Sequence, residues 1–157
     1  MKMYSARIVA CVSAMVICVM NASPAPADSS KAPYTTIPTV GQAVRLDGTP
    51  GGAKTAWAYV DLHWLERYLG VTIDAAAANR QYTDIEVQNQ LSAIADHVTV
   101  VSNGTKASVE AVQSFLYGGH QDTEVRVMIG EGPMRGRELW TTCAELVDSA
   151  GHPYLRM

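Results

Sequence analysis

The sequence predicts an α+β domain, in which one N-terminal strand and two helices pack against a small β-barrel at the C-terminus. Residues 62–69 and 87–95 repeat apolar side chains at helical spacing. Residues 123–129 alternate apolar and polar side chains, as a half-buried strand does. Glycine-containing turns at 103–104 and 132–136 separate the short strands of the last third of the chain.

Residues 1–27 have the pattern of a secretory signal peptide. Two basic residues and no acid open the segment, residues 8–20 are almost entirely apolar, and residues 25–27 supply the small side chains that a signal peptidase recognises. An apolar run of about 13 residues is shorter than the about 20 needed to span a bilayer. We therefore expect cleavage before Asp28, and a secreted or periplasmic protein with no membrane insertion after leader removal.

Loss of the leader makes the chain more acidic. Removing Lys2 and Arg7 leaves ten basic residues against fifteen acidic ones, a formal net charge of −5 instead of −3. Nucleic acids and anionic lipids are bound through clustered Lys and Arg, so the composition predicts neither as a partner. Cys11 and Cys18 leave with the leader, so Cys143 is the only cysteine of the predicted mature chain and no intramolecular disulfide is expected.

The predicted mature chain, about 130 residues long, is sufficient for one domain with its own core. Residues 28–39 are rich in Ser, Thr and Pro and predict a flexible linker. Residues 40–150 predict the single α+β domain, with the barrel at about 96–148, and residues 151–157 predict a short tail.

The first half of the domain contains the predicted strand and the first helix. Val44 and Leu46 alternate with polar neighbours as in a short strand, and a glycine-rich loop follows at 47–52. Asp61 can cap the first helix, and Gly70 is placed to end it.

The second helix is marked by Thr83-Asp84-Ile85-Glu86, the pattern of a capping box. Its apolar face is predicted to contain Val87, Leu91, Ile94 and Ala95. The preceding stretch, residues 74–79, contains four alanines and fits either an extension of a helix or a loop.

The barrel is predicted to begin with a hairpin. Residues 97–101 and 106–112 would pair around Asn103-Gly104, because Asn-Gly favours the left-handed turn that matches strand twist. The remaining barrel elements are two strands and a closing turn that plugs the barrel, at 123–129, 137–141 and 143–147.

The order of Gly104-Thr105, Val125-Arg126-Val127, Gly132-Pro133 with Gly136-Arg137, and Trp140 resembles the bacterial SH3-like barrels of exported proteins. The resemblance covers about a third of the chain. It implies that these motifs form the first turn, the central strand, the distal loop and the last strand. Trp140 is flanked by leucine and threonine, where the family usually has glycine and valine. Members often bind cell-wall peptide or a protein partner.

The sequence contains one pair of residues with the spacing of a metal half-site. His63 and Glu66 lie three residues apart on the first predicted helix, so they can share a face. No third ligand and no His-Glu-x-x-His or Cys/His cluster accompanies the pair, and His97, His120 and His152 are scattered. No metal and no cofactor are therefore predicted.

Cys143 is the other candidate for chemistry. A small buried core residue is the favoured interpretation, while pairing with another chain and a role as nucleophile stay open. No Gly-x-Ser-x-Gly elbow offers a serine nucleophile in its place.

Aromatic residues give the binding hypothesis. Phe115 and Tyr117 are predicted to lie in a glycine-containing loop between barrel strands, and Trp140 on the last strand. We expect these three to bind the ligand, because flat rings give contact area at low entropy cost. In the alternative interpretation the three tryptophans, Trp57, Trp64 and Trp140, belong to the core, as do Phe115 and Tyr117.

The predicted function is that of an exported, non-catalytic binding module for a cell-envelope or extracellular protein or peptide. Two alternatives stay open: a small secreted hydrolase that uses Cys143 or a His/Glu pair, and a structural or assembly protein of the cell surface. A binding module predicts an aromatic groove, a hydrolase predicts converging reactive groups in a cleft, and an assembly protein predicts an uncovered sheet edge or apolar patch. Asn103 also fits a glycosylation acceptor, although a turn explains the motif equally well.

Overall fold

The computed structural model describes residues 37–154. The predicted signal peptide, its cleavage before Asp28 and most of the predicted linker lie outside these residues, as do the last three residues of the tail. Those statements stay predictions.

The described chain is α+β, as the sequence predicts, and it contains seven strands, two α-helices and two 3₁₀ turns. The strands are β1 (Ala43–Leu46), β2 (Thr55–Tyr59), β3 (Val98–Ser102), β4 (Thr105–Tyr117), β5 (His120–Ile129), β6 (Glu138–Thr142) and β7 (Leu146–Val147). The helices are α1 (Leu62–Ala77) and α2 (Ile85–Ala95), and the 3₁₀ turns are Thr49–Gly51 and Cys143–Glu145.

All seven strands join in one antiparallel sheet that curls into a half-barrel, in the order β3-β2-β6-β5-β4-β1-β7. The concave face encloses the main core, because alternate residues of each strand point inward. Val125, Val127 and Ile129 of β5 are buried there, as their alternation predicts. The two helices pack on the convex face through a second apolar cluster, which contains Leu65, Leu69 and Ile94.

The prediction of a single N-terminal strand is wrong, because β2 also precedes the helices. This strand reads Thr-Ala-Trp-Ala-Tyr and lacks a polar face. Ala56 and Ala58 point into the barrel core, while Trp57 and Tyr59 meet Tyr68 of α1. A strand covered on both faces has no alternation of apolar and polar residues to reveal it.

The prediction that Asn103-Gly104 forms a hairpin between β3 and β4 is also wrong. β3 pairs with β2, whereas β4 pairs with β5 and β1, so the turn connects strands that are not neighbours. The Asn103 side chain holds this corner: its Oδ1 accepts from Gly48 N at 2.9 Å, and its Nδ2 donates to Thr49 Oγ1 and Ala53 O. Gly104 has a φ of 87°. Asn103-Gly104 therefore forms a corner that side-chain hydrogen bonds hold in place. The Asn103 Nδ2 atom, to which a glycan would be attached, donates two of these bonds.

The first helix begins as predicted and ends later. Asp61 caps it by accepting from Trp64 N at 3.3 Å. Gly70 does not end the helix, which continues through the alanines to Ala77. Ala75 is buried against α2, and this packing outweighs the low helix propensity of one glycine.

The second helix has the predicted apolar face and a different start. Val87, Leu91 and Ile94 are buried. The capping box is absent, because Asp84 precedes the helix without a side-chain cap and Glu86 forms an ion pair with Arg80. Arg80, which lies outside the motif, binds the Glu86 side chain that a capping box would use.

The prediction that Phe115 and Tyr117 lie in a loop is wrong, since both belong to the end of the long strand β4. The closing turn is confirmed: Cys143–Glu145 forms a 3₁₀ turn and leads into β7, which pairs with β1. Cys143 is fully buried in the barrel core.

Candidate functional site

β4 and β5 extend beyond the rest of the sheet as a two-stranded ribbon, residues 110–124, which we call the arm. β4 pairs with β1 only as far as Ser108, and β5 pairs with β6 only from Glu124 onward. Between these limits β4 and β5 pair with each other up to Tyr117 and His120. Both edges of the arm therefore lack a neighbouring strand within the described part of the chain.

A two-residue turn closes the tip of the arm. Gly118 and Gly119 have φ values of 56° and 81°. Positive φ at both central residues is the requirement of a type I′ turn, whose twist matches that of the strands. Glycine adopts this conformation without strain, so the arm keeps its register to the tip.

Helix α1 supports one face of the arm. Tyr117 Oη donates a hydrogen bond to Asp74 Oδ2 at 2.9 Å, and this bond, together with the Asp74 charge, raises the pKa of the Tyr117 hydroxyl. The Phe115 ring stacks on the Tyr117 ring with centroids 6.1 Å apart. A Cβ placed on Gly118 would lie 3.6 Å from Ile73 Cγ2, which shows how closely the tip approaches the helix.

The opposite face is exposed near the tip of the arm, whereas Thr123, nearer the base on the same face, is buried. Leu116 points away from Phe115 and Tyr117, because neighbouring residues of a strand alternate between faces. Its side chain is 73 % exposed and belongs to none of the core clusters, while Tyr117 is 41 % exposed. An isolated exposed leucine is common, but this one lies on a ribbon with two open edges.

The arm is acidic. The sequence has no Lys or Arg from residue 107 to residue 125, whereas Glu110, Asp122 and Glu124 fall within this interval. Asp74 adds a carboxylate from α1. The exposed part of this region therefore carries negative charge.

Trp140, the third residue predicted to bind ligand, lies away from the arm tip. It occupies β6 opposite Tyr59 and Arg126, and the Arg126 guanidinium is 5.9 Å from its ring centroid. Trp140 and Phe115 pack on the same apolar cluster beneath α1, and Tyr117 stacks on Phe115. The structure thus connects the three predicted residues, with Tyr117 the most exposed member.

The base of the arm contains a buried carboxyl group that the sequence analysis did not single out. Glu124 has an exposure of 0 %; its Oε2 accepts from Gln113 Nε2 at 2.8 Å and its Oε1 has no hydrogen-bond partner among the described residues. Burial raises the pKa of Glu124 to about 7, and the charges of Glu66 and Asp122 add to the rise, while the bond from Gln113 opposes it. Glu124 can therefore exchange a proton near neutral pH.

The signal that could have revealed Glu124 is the combination of two predictions. The alternation of β5 places Glu124 on the face opposite the barrel core, which suggests solvent. The two amphipathic helices, however, require a sheet surface to cover. Joining these statements would have placed Glu124 beneath α1.

The candidates for catalysis do not converge. Cys143 is fully buried in the barrel core. The His63 ring is exposed beside Trp64, whereas the charge of Glu66 contributes to the raised pKa of Glu124. Within residues 37–154, no three His, Cys, Asp or Glu side chains are grouped so that they could hold a metal ion.

Two of the three remaining histidines, His97 and His152, have structural partners. His97 stacks on Trp64 with ring centroids 3.6 Å apart. His152 Nδ1 lies 3.2 Å from Asp148 Oδ2.

Comparisons of the chain with protein-family models, with curated proteins and with solved structures found no match. In the part of the chain that the structure describes, no helix combines the length and apolar character needed to cross a membrane.

Proposed function

We propose that this protein is an exported, non-catalytic binding module that holds an extended segment of a cell-envelope or extracellular protein against the arm. The observation that carries the proposal is that both edges of the arm lack a neighbouring strand among the described residues. Backbone N–H and C=O groups along an open edge are complementary to another extended chain, and this is the basis of recognition by strand addition.

The residues near the open edges of the arm determine which kind of protein segment can bind there. Leu116 and the exposed part of Tyr117 offer apolar contact area. The arm contains the carboxylates Glu110 and Asp122 and no Lys or Arg, and Asp74 of α1 adds a carboxylate beside its tip. We therefore assign to the ligand an extended conformation, an apolar side chain and at least one Lys or Arg.

The strand order of the half-barrel supports the further proposal that the barrel is SH3-like. The strands β7-β1-β4-β5-β6 are consecutive in the sheet, and a 3₁₀ turn precedes the last strand, which returns to pair with the first. On this interpretation β2, both helices and β3 form an addition at one side of the barrel.

Binding is favoured over hydrolysis by the positions of the candidate reactive groups. Cys143 is enclosed in the core, and His63 and Glu66 face different surroundings. A catalytic nucleophile must also be open to its substrate, and Cys143 is fully buried.

The test compares retention of purified variants on a solubilised cell-envelope fraction from the organism that encodes the protein. Leu116→Ser should reduce retention at least about fivefold, since truncation of an exposed apolar anchor removes contact area without opening a core cavity. Ile85→Ser is the matched control, because Ile85 is similarly exposed, at 70 %, on the first turn of α2. Equal retention of all three proteins, or no retention of wild type, would overturn the proposal.

A further inference from the structure

Strand β3 forms one end of the sheet, and its outer edge is unpaired within the described chain. The direction of its backbone groups follows from β2. Trp57 N donates to Glu145 Oε2 at 3.0 Å, and Trp57 O accepts from Thr141 Oγ1 at 2.8 Å, so both groups of Trp57 point away from β3. Its cross-strand partner, Val100, is therefore in a non-hydrogen-bonded pair, and the N–H and C=O of Val100 point to the open edge.

The same alternation applies two residues away on either side. Val98 and Ser102 also direct their backbone groups outward, whereas Thr99 and Val101 bond to β2. The open edge thus presents donors and acceptors at three positions spaced evenly about Val100. Ser102 O accepts one bond from Thr105 Oγ1 at 2.7 Å, and a carbonyl oxygen has a second lone pair available.

Several features that usually protect an edge strand are missing from this edge. The sequence Val-Thr-Val-Val-Ser contains no charged residue and no proline, and its pairing with β2 has no bulge. The side chain of Val100 is 57 % exposed. Helix α2 covers only the Val98 end, where Ile94 and Val98 share a cluster, so the remainder of the outer face of β3 is open.

We propose that β3 pairs with β3 of a second copy of this chain, in antiparallel orientation, about a two-fold axis at Val100. In this register Val100 faces Val100 of the second copy, and Val98 faces Ser102. Every outward N–H then meets an outward C=O, giving about six intermolecular hydrogen bonds. The two sheets become one continuous sheet.

The occupant is a second copy because the edge is complementary to itself. The outward positions map onto one another under the two-fold rotation, as an isologous interface requires. The edge is uncharged, so no like charges meet in the self-pair, and two exposed valines become cross-strand neighbours. Strands β2 and β6 separate the dimer edge from the strands of the arm, so this inference goes beyond the proposed function and does not rest on it.

The first test is disulfide cross-linking of the purified protein. In the proposed register the two Val100 Cα atoms are about 5.5 Å apart, within the range that a disulfide spans. Val100→Cys should form a covalent dimer under mild oxidation. Ser102→Cys is the matched control, because its two copies would be about 13 Å apart along the strands. Absence of the Val100→Cys dimer, or equally fast cross-linking of Ser102→Cys, would overturn the proposal.

The second test is sedimentation equilibrium of variants without added cysteine. Wild type and Ile85→Lys should associate equally, and Val100→Lys should weaken dimerisation at least about tenfold, because it places like charges opposite each other. Both positions are exposed, so both variants are expected to fold. A monomeric wild type, or undiminished association of Val100→Lys, would contradict the register.

Discussion

The burial and the pKa of Glu124 depend on elements that are distant from it in the chain. Its side chain is enclosed between β5 and α1 and bonds to uncharged Gln113 of β4; the nearby charges that oppose its ionisation are Glu66 on α1 and Asp122 on β5. The sequence places Glu124 on the correct face of its strand. It does not reveal burial, because burial depends on a helix that is distant in the chain.

The raised pKa of Glu124 predicts a pH-dependent stability. The folded state has a pKa of about 7 against an ordinary value of 4.5, so it binds more protons than the unfolded state between these pH values. The free energy of unfolding should therefore fall as pH rises from about 4.5 to about 7, by roughly 3 kcal/mol from this group, and then level off.

Urea unfolding at pH 5 and pH 8 measures this effect. Glu124→Gln keeps an oxygen for the Gln113 bond and should remove most of the loss on going to pH 8. The exposed variant Glu86→Gln should retain the wild-type difference. A difference between the two pH values that is the same in wild type and in Glu124→Gln would show that Glu124 titrates normally.

Among the elements, the corner at Asn103-Gly104 shows the limit of local signals. The dipeptide correctly indicates a turn with positive φ, and Gly104 adopts 87°. It does not specify which strands pair, because pairing is decided by distant partners: β2 for β3, and β5 with β1 for β4. By contrast, the periodic apolar faces of both helices are local properties, and the structure confirms them.

Replacement of Gly104 tests the backbone conformation of this corner. Gly104→Val should lower the free energy of unfolding by about 1 to 3 kcal/mol, because valine is strained at positive φ. A Cβ there meets no heavy atom within 4 Å, so crowding of the β-carbon does not contribute. Gly104→Asn should cost less, since asparagine tolerates the left-handed region. A Gly104→Val protein that unfolds in urea as wild type does would mean that positive φ is not required.

The whole molecule is a curled sheet with helices on its convex face. The α+β class is predictable from apolar periodicity and turn residues. The strand order is not, because β2 has apolar residues on both faces and because the sheet is joined through contacts such as Gln42 Nε2 to Tyr154 Oη at 2.6 Å. The arm itself is hidden for a related reason: Phe115-Leu116-Tyr117 beside two glycines suggests a loop until the pairing of β4 with β5 is known.

The arm as the ligand-binding surface is the central claim, and hydrogen exchange of the purified protein with and without the solubilised cell-envelope fraction tests it most directly. Amides of residues 110–123 should exchange more slowly in the presence of the fraction, and this protection should weaken as salt screens the carboxylates. Helix α2 should exchange at an unchanged rate. Protection that falls elsewhere while the arm exchanges as in the free protein would contradict the claim.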